Sequence, residues 1–585
     1  MRQQLAIIAF TGVIFLGNPG VMLMAEAQQP LLVVYPPPNY QTSASQIFFI
    51  GTAAPEGQVF INNQPIQRSQ AGHFAPSFPL QVGENLFTVR YKNQKINLKV
   101  KRVSQEIQPP TGAGFAANSL MPSEDLVRLP DELICFEAIA TPGATVSVNL
   151  GRQTIPLLPQ PQTVKLPENS AVLTATNQPL TVSTLGKYQG CAKVSETGNL
   201  GYPLFKVNLN NQTISQPGKG QIIILAPNQF EVIEVTANSG VTRTGPGTNY
   251  SRLTPLPKGT RATVTGKQGD WLRLDYGAWI LKAETQVLSN AVPPQSMIRS
   301  INSRTFSGAT EIVFPLQTPI PISVKQEDDK FILTLYHTTA QTDTIFIDND
   351  PLIKRVDWQQ VSPDKIEYTF LLKSPQQWGY DLRYEGTNLI LTLRHPPKLS
   401  RGSLEGVTIL LDAGHGGQES GATGPTGYQE KEVNLRVTKL LEQQLKQRGA
   451  KVYLTRETDQ DVSLNERVAQ INQLKPTLSI SIHYNALPDE GDAVNTAGVG
   501  VFWYHPQAHD LSVFLHDYLV NQLHRPSYGV FWNNLALTRP SAAPSILLEL
   551  GFLINPNEFE WISNAQEQEK LAKTLAEGIA AWLQH

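Results

Sequence analysis

The stretch LLDAGHGGQESGATG, residues 410–424, sets one histidine and five glycines where an apolar run ends. The run Val407 to Leu411 reads as a buried strand, so His415 falls just past its end. Open α/β sheets place their chemistry at such strand ends. Beyond this point the pattern alternates. Val433, Val437, Leu440 and Leu441 share one helical face. KVYLTR then reads as a strand, LNERVAQINQL as a helix, and LSISIHYNA as a strand ending near His483. GVGVFWYHP and SILLELGF read as further strands, followed by a helix from about Gln566 to Leu583. Residues 407–585 are therefore expected to form an α/β domain with helices packed on a central sheet.

Three polar groups recur at the ends of these apolar runs: His415, His483 in SISIHYNA, and Glu549 inside SILLELGF. A carboxylate within an apolar strand is costly unless it is paired, hydrogen-bonded or near a metal. Chemistry is the expected reason for it. The segment HPQAH offers His505 and His509 as an i, i+4 pair, but Pro506 suggests a helix start and no HExxH is present. Both are read as surface groups.

Working outward, 585 residues exceed a single core, and about 150 residues per domain suggests roughly four. The 47 Lys+Arg against 49 Asp+Glu leave a net charge of −2, so no global basic field points to nucleic acid. With 43 Pro and 42 Gly the chain suits turn-rich β modules joined by linkers. IFFIGTAAPEGQVFIN (Ile47 to Asn62) is echoed by ICFEAIATPGATVSVN (Ile134 to Asn149), each reading strand, Pro/Gly turn, strand. Two related sandwich-like units are expected at 31–105 and 125–225, and they resemble the immunoglobulin-like modules of exported wall proteins.

Residues 231–288 carry Arg243-Thr244-Gly245-Pro246-Gly247, Lys258-Gly259-Thr260, Trp271 and Tyr276-Gly277-Ala278-Trp279-Ile280. This stretch resembles a bacterial SH3-like domain, a small barrel that in exported wall proteins often binds peptide or peptidoglycan. That family usually opens its motif with Asn-x-Arg, whereas here Val241 precedes Thr242-Arg243. Trp271 and Trp279 serve either as a ligand-stacking platform or, more simply, as barrel core. Residues 296–398 read as a further β-rich unit, and RTFSGATEIVFPL (Arg304 to Leu316) resembles the start of a targeting module found beside wall amidases.

The start MRQQLAIIAFTGVIFLGNPGVMLMAEAQQ has the layout of a secretory signal over residues 1–27, with cleavage after Ala27. Gly17 to Gly20 interrupt its apolar run well below the roughly 20 residues that span a bilayer. Export, to the periplasm or cell wall with no transmembrane anchor after cleavage, is the expectation. An oxidising compartment would let Cys135 and Cys191 pair, the alternative being two buried thiols.

The motifs LDAGHGG (411–417), GYQEKEVNL (427–435), SIHYNA (481–486) and LLELGFLIN (547–555) occur in order. They resemble those of the zinc-dependent N-acetylmuramoyl-L-alanine amidases of the third amidase family, over about residues 407–585. The resemblance implies that His415, Glu430 and His483 bind Zn2+ and that Glu549 is the catalytic acid/base. Two histidines and a carboxylate suit a tetrahedral zinc with one open position. Glu432 lies close to Glu430 and, from chemistry alone, either could be a solvated helix-start acid. Asn485 and Arg539 are candidates for the substrate groove, Arg539 for a stem-peptide carboxylate.

The chain as a whole reads as several small all-β domains followed by a C-terminal α/β zinc hydrolase domain. The implied reaction is cleavage between N-acetylmuramic acid and L-alanine of the stem peptide, with peptidoglycan as partner and envelope proteins as further partners of the β domains. Two alternatives stay open at this point: another zinc wall peptidase, and a non-catalytic wall-binding scaffold. Only Leu487 to Gly498 separates SIHYNA from the next strand, too little for a blocking helix, so an open site is expected.

Overall fold

The computed structural model describes residues 30–584 apart from 105–106, 162, 168, 175–177, 183–184, 227–228 and 348. The expected leader, residues 1–27, lies outside the described residues. Among the described residues no helix is long and apolar enough to cross a membrane.

Small β-sheets fill the chain up to Arg394. A core of Ile47, Phe49, Val59, Val89 and Val100 gathers the strands before residue 103. A second core, with Phe136, Val148 and Phe205 at its centre, gathers those of the next unit. Leu133–Ile139 pairs with Lys187–Lys193, which sets Cys135 opposite Cys191, and the two are disulfide-bonded. Leu126–Arg128 and Ile222–Ile224 instead join the sheet of the SH3-like strands, with Val127 opposite Lys267. Apolar alternation can announce such strands, but it says nothing about which sheet accepts them. Residues 296–394 form a five-stranded and a four-stranded sheet over one shared core.

The C-terminal unit is a six-stranded sheet with five helices. Its strands are β1 (Thr408–Ala413), β2 (Lys451–Leu454), β3 (Leu478–Asn485), β4 (Val499–Trp503), β5 (Ser527–Trp532) and β6 (Ser545–Phe552). Its helices are α1 (Glu430–Gln447), α2 (Leu464–Leu474), α3 (His509–Leu523), α4 (Pro556–Ile562) and α5 (Ala565–Gln584). The sheet order is β2-β1-β3-β6-β4-β5, parallel except where β4 meets β6. Strands buried on both faces need near-continuous apolar sequence, and TILL and SILLEL supply it.

Even positions of β3 (Ile480, Ile482, Tyr484) and β6 (Ile546, Leu548, Leu550) pack against Val433, Val437 and Leu441 of α1 and against α3 and α5. Leu571, Leu575 and Ile579 of α5 are almost wholly buried there. Each such side chain contributes about 1.5–3 kcal/mol of burial. Because strand side chains alternate, His483 and Glu549 fall on the other face, directly opposite one another in the β3–β6 register. A slip of one residue would send both into the helical core.

Caps fix the helix starts. Ser463 accepts from Glu466 N while Glu466 reaches back to Ser463 N, a capping box opening α2. The first turn of α1 has no side-chain cap but carries Glu430 and Glu432. Negative charge there complements the helix dipole.

The N-terminal β unit is seated on this α/β unit. Phe48, Ile50 and Ala75 share a small core with Ala493, Phe552 and Ile554. Asp489 accepts from Thr42 Oγ1 at 2.6 Å, from Tyr40 at 3.2 Å and from Tyr35, and Glu490 accepts from Ser45 N at 2.7 Å.

Candidate metal and catalytic site

β1 ends at Ala413, and the chain turns at Gly414 and His415, where His415 takes a left-handed φ of 60°. The turn aims His415 at the first residue of α1. Its Nε2 lies 3.2 Å from Glu430 Oε2, and His483 Nδ1 lies 3.1 Å from Glu430 Oε1. One ligand atom from each of the three side chains falls within a group no wider than 4.8 Å, the only such His/Cys/Asp/Glu group among the described residues. Tetrahedral ligands about 2.0–2.1 Å from zinc stand roughly 3.3 Å from each other, so the donor set and its spacing fit that ion.

Glu430 is 4 % exposed. It accepts from Ala422 N at 2.8 Å, from Tyr484 N at 3.1 Å and from Asn434 Nδ2 at 3.1 Å. Burial alone would raise its carboxyl, but the hydrogen bonds and charges of His415 and His483 hold it well below the ordinary carboxylate range. Glu432 is exposed, so the helix-start acid at the histidines is Glu430. Burial disfavours the charged form of His415, but Glu430 and then Glu419, 3.0 Å from its Nδ1, raise its pKa overall.

Glu549 stands beside His483 across the β3–β6 ladder. Its Oε2 is shut off from solvent and has no hydrogen-bond partner. Burial first, and the Glu430 charge second, push this carboxyl well above its usual value. Two carboxyls in one site are thus driven apart, one ionised and one proton-accepting, which is the arrangement that separates ligand from acid/base roles.

Glycines make the room. A Cβ at Gly414 would lie 2.2 Å from the His483 ring, and one at Gly421 2.4 Å from Glu430 Oε2.

Sequence reasoning missed the support beneath the site. Asp412 is 1 % exposed and accepts from Arg467 NH1 at 2.5 Å, from Thr455 Oγ1 at 2.6 Å and from Ser481 Oγ. Burial would raise its carboxyl, yet Arg467 and these neighbours hold it low. Arg467 NH2 also donates to His415 O at 2.8 Å, fixing the turn that aims the histidine. Arg456 donates to Ala413 O at 2.9 Å and to Gly414 O at 3.0 Å. Asp412 carried the same signal as Glu549, a charge inside an apolar strand. The two arginines carried none, since arginine on a helix or at a strand end is ordinarily solvated.

The remaining candidates are scattered. Asn485 lies two residues beyond His483 on the same strand face and uses its Oδ1 to accept from Ala486 N at 2.8 Å. Arg539 is not brought to this cluster. β4 runs from Gly500 opposite Glu549 to Trp503 opposite Ile546, and His505 beyond it donates from Nε2 to Arg539 O at 2.7 Å. Arg539 therefore sits at the far end of the sheet. His505 and His509 do not join a metal group. His505 is also no surface group, being packed on Tyr380 and Tyr504. In the SH3-like unit Trp279 is buried, with Arg128 5.6 Å over its ring. Arg243 is buried and donates to Thr248 O and Tyr250 O within its own loop.

Residues 487–498 contain no helix. What approaches the site comes from elsewhere. Tyr528, whose ring shares the space above Gly500 with Glu549, donates to Leu173 O in the short 3-10 turn Asn169–Thr174.

A buried carboxylate held between two histidines, with a second carboxyl beside them at the end of a largely parallel sheet, makes a candidate metal site in an α/β unit. Residues 409–581 match the profile described as N-acetylmuramoyl-L-alanine amidase, and residues 243–286 match the bacterial SH3 domain. The likeness to the two families is confined to these two segments. It is 31% identical over 196 residues to the "Probable cell wall amidase LytH" of Staphylococcus epidermidis strain ATCC 12228, covering 33% of this chain and 64% of that protein. Its likeness to the Staphylococcus aureus protein of the same name is 33% over 178 residues, 30% of this chain and 58% of the relative. The chain thus spans 64% and 58% of the length of these two curated relatives. The solved catalytic domain of CwlV, an N-acetylmuramoyl-L-alanine amidase from Bacillus (Paenibacillus) polymyxa var. colistinus, is 29% identical, covering 30% of this chain and 98% of its own, with a TM-score of 0.29. The amidase AmiC2 of Nostoc punctiforme is 28% identical over 31% of this chain and 98% of its own, also with a TM-score of 0.29.

Proposed function

We propose that this protein is an exported, zinc-dependent N-acetylmuramoyl-L-alanine amidase that acts on peptidoglycan. The observation that carries the reading is the convergence of His415, Glu430 and His483, with Glu549 beside them, inside a domain that matches the amidase profile. Its reaction is hydrolysis of the amide joining the lactyl group of N-acetylmuramic acid to L-alanine. The carbonyl C–N bond breaks, a C–O bond to water forms, and a carboxylate and a free amine result.

Zinc held by the three side chains would supply Lewis acidity toward the carbonyl and acidify water toward a pKa of about 7. Glu549, shielded and without a partner, takes the proton of the attacking water and returns it to the leaving nitrogen. Asp412, Arg467 and Arg456 hold the turn at His415 so that its ring keeps its aim. The amide group of Asn485 is left free to donate to the substrate strand, since its oxygen is already engaged.

The upstream β units hold the enzyme at the wall or on envelope proteins, raising its effective concentration at a polymeric substrate. The leader-like start and the cell-wall names of the relatives support a periplasmic or wall location.

Mass spectrometry of peptidoglycan digested by the full chain tests the reading. Stem peptides with a free N-terminal L-alanine should appear, and should vanish with chelator and in Glu549→Ala. Cleavage between amino acids instead would mean a wall peptidase, and an untouched wall would remove the enzymatic reading.

A further inference from the structure

A second cleft, of about 1020 Å³, opens where three units meet: the SH3-like domain, the strands of residues 296–394 and the far end of the amidase sheet. That is at the upper end of ordinary ligand pockets. Its composition departs from that of the chain. Acids and bases are nearly balanced overall, yet this lining holds Arg252, Lys325 and Arg539 and no aspartate or glutamate.

Lys325 has its own partner, Glu327, at 2.6 Å. The two arginines do not. Among the described residues neither Arg252 nor Arg539 meets a carboxylate within 4.0 Å, and Arg539 has only the weak contacts of its NH1 with Asn534 O at 3.2 Å and Oδ1 at 3.4 Å. Burial, and then the charges of Arg252 and Arg243, bring the Arg539 guanidinium down to about 10. Like charges facing one another in a partly desolvated cleft are costly, and an anion between them removes that cost.

The rest of the lining says what kind of anion. Trp532, 61% exposed, stacks at 5.3 Å on Tyr504 and offers a flat apolar wall, which suits a carboxylate carried on a peptide chain rather than a bare phosphate.

We propose that this cleft binds the carboxylate-bearing end of a peptide, with Arg252 and Arg539 clamping the carboxylate and Trp532 with Tyr504 covering the chain. It goes beyond the cleaving site, lies at the opposite end of the sheet from Glu549, and needs contributions from three units at once. Under the amidase reading a stem peptide is the natural source of such a ligand, but recognition here requires neither metal nor turnover.

Calorimetric titration of the full chain, stripped of metal so that no cleavage intervenes, tests it. The probe is a synthetic tetrapeptide with two free carboxylates, set against the same peptide with both amidated and against inorganic pyrophosphate. Amidation of the peptide and the Arg252→Gln substitution should each weaken binding at least tenfold, with Arg252→Lys recovering part of the loss. Trp532→Ala, at an exposed side chain whose removal leaves the fold intact, should weaken it at least threefold. Equal binding of the amidated peptide, indifference to both substitutions, or tighter binding of pyrophosphate would overturn the proposal. Because the readout is metal-free, loss of wall hydrolysis in other experiments leaves this result standing, and the reverse.

Discussion

Adding one methyl group at Gly414 is expected to disable the metal site while leaving the fold in place. A Cβ there would lie 2.2 Å from His483 Cε1 and 2.3 Å from Nε2. Ordinary carbon contacts need about 3.5 Å, so the ring would have to retreat by roughly 1.3 Å. The backbone has little room to yield instead. Gly414 N donates to Ile482 O at 3.1 Å, and its carbonyl accepts from Asn434 Nδ2 at 3.1 Å and from Arg456 NH2 at 3.0 Å. Gly414 also does not sit in the left-handed region, so alanine brings no backbone strain of its own, unlike substitutions at Gly416 (φ 136°) or Gly421 (φ 66°). Metal–ligand distances hold to about 0.2 Å, so a shift several times larger removes His483 from the ligand set. Gly414→Ala should therefore weaken zinc binding at least about 100-fold, roughly 2.7 kcal/mol. Competition with a chromogenic chelator measures this, with circular dichroism reporting the fold. A folded variant that binds zinc as tightly as the parent would refute the reasoning.

Arg467→Met should leave Asp412 buried without its charge partner. Breaking such a pair costs about 3–5 kcal/mol, and the Thr455 and Ser481 hydroxyls that remain place this one near the lower value. Hydrogen exchange at the amides of β1 and β3 reads the loss, and unchanged protection there would count against it. His505 predicts an acid-sensitive interface. Burial lowers its pKa from an ordinary 6.5 to about 4. The unfolded chain then binds the extra proton between those values, so the contribution is complete above pH 6.5 and is lost as the pH falls toward 4. That gap corresponds to about 3 kcal/mol. Melting temperature against pH should fall less steeply in His505→Gln over that window, and parallel curves would contradict the assignment. Reduction of the Cys135–Cys191 bond, which closes a loop with a sequence separation of 56, should cost about 2–4 kcal/mol. Differential scanning calorimetry of the reduced chain should show the loss in the unit around residues 126–224 and leave the transition of the C-terminal α/β unit in place.

Much of the C-terminal α/β unit could be read from period and punctuation. Apolar runs at 407–411, 478–482 and 545–550 announced buried strands, and Val433, Val437 and Leu441 announced the face of α1, because burial imposes a period that sequence records directly. Charges placed inside those runs pointed to His483 and Glu549 for the same reason. Glu430 and Glu432 could not be separated by chemistry alone. They lie in the same helical turn, and only the position of α1 against the β1 and β3 strand ends buries one and exposes the other.

Other features had no linear signature. Strand periodicity does not say which sheet a strand joins, which is why Leu126–Arg128 ended beside SH3-like strands. Arg539, in LALTRPSAAP, was a candidate for the substrate groove from its likeness to wall amidases, but β6 carries the chain across the sheet between it and Glu549. The sequence by itself determined the identities of the donors, the strand ends on which they ride and the period that buries the rest, because these depend on local pattern. Only the tertiary structure decided which donors meet, what supports them from beneath and how three units enclose an acid-free cleft, because those depend on register and docking between segments far apart in the chain.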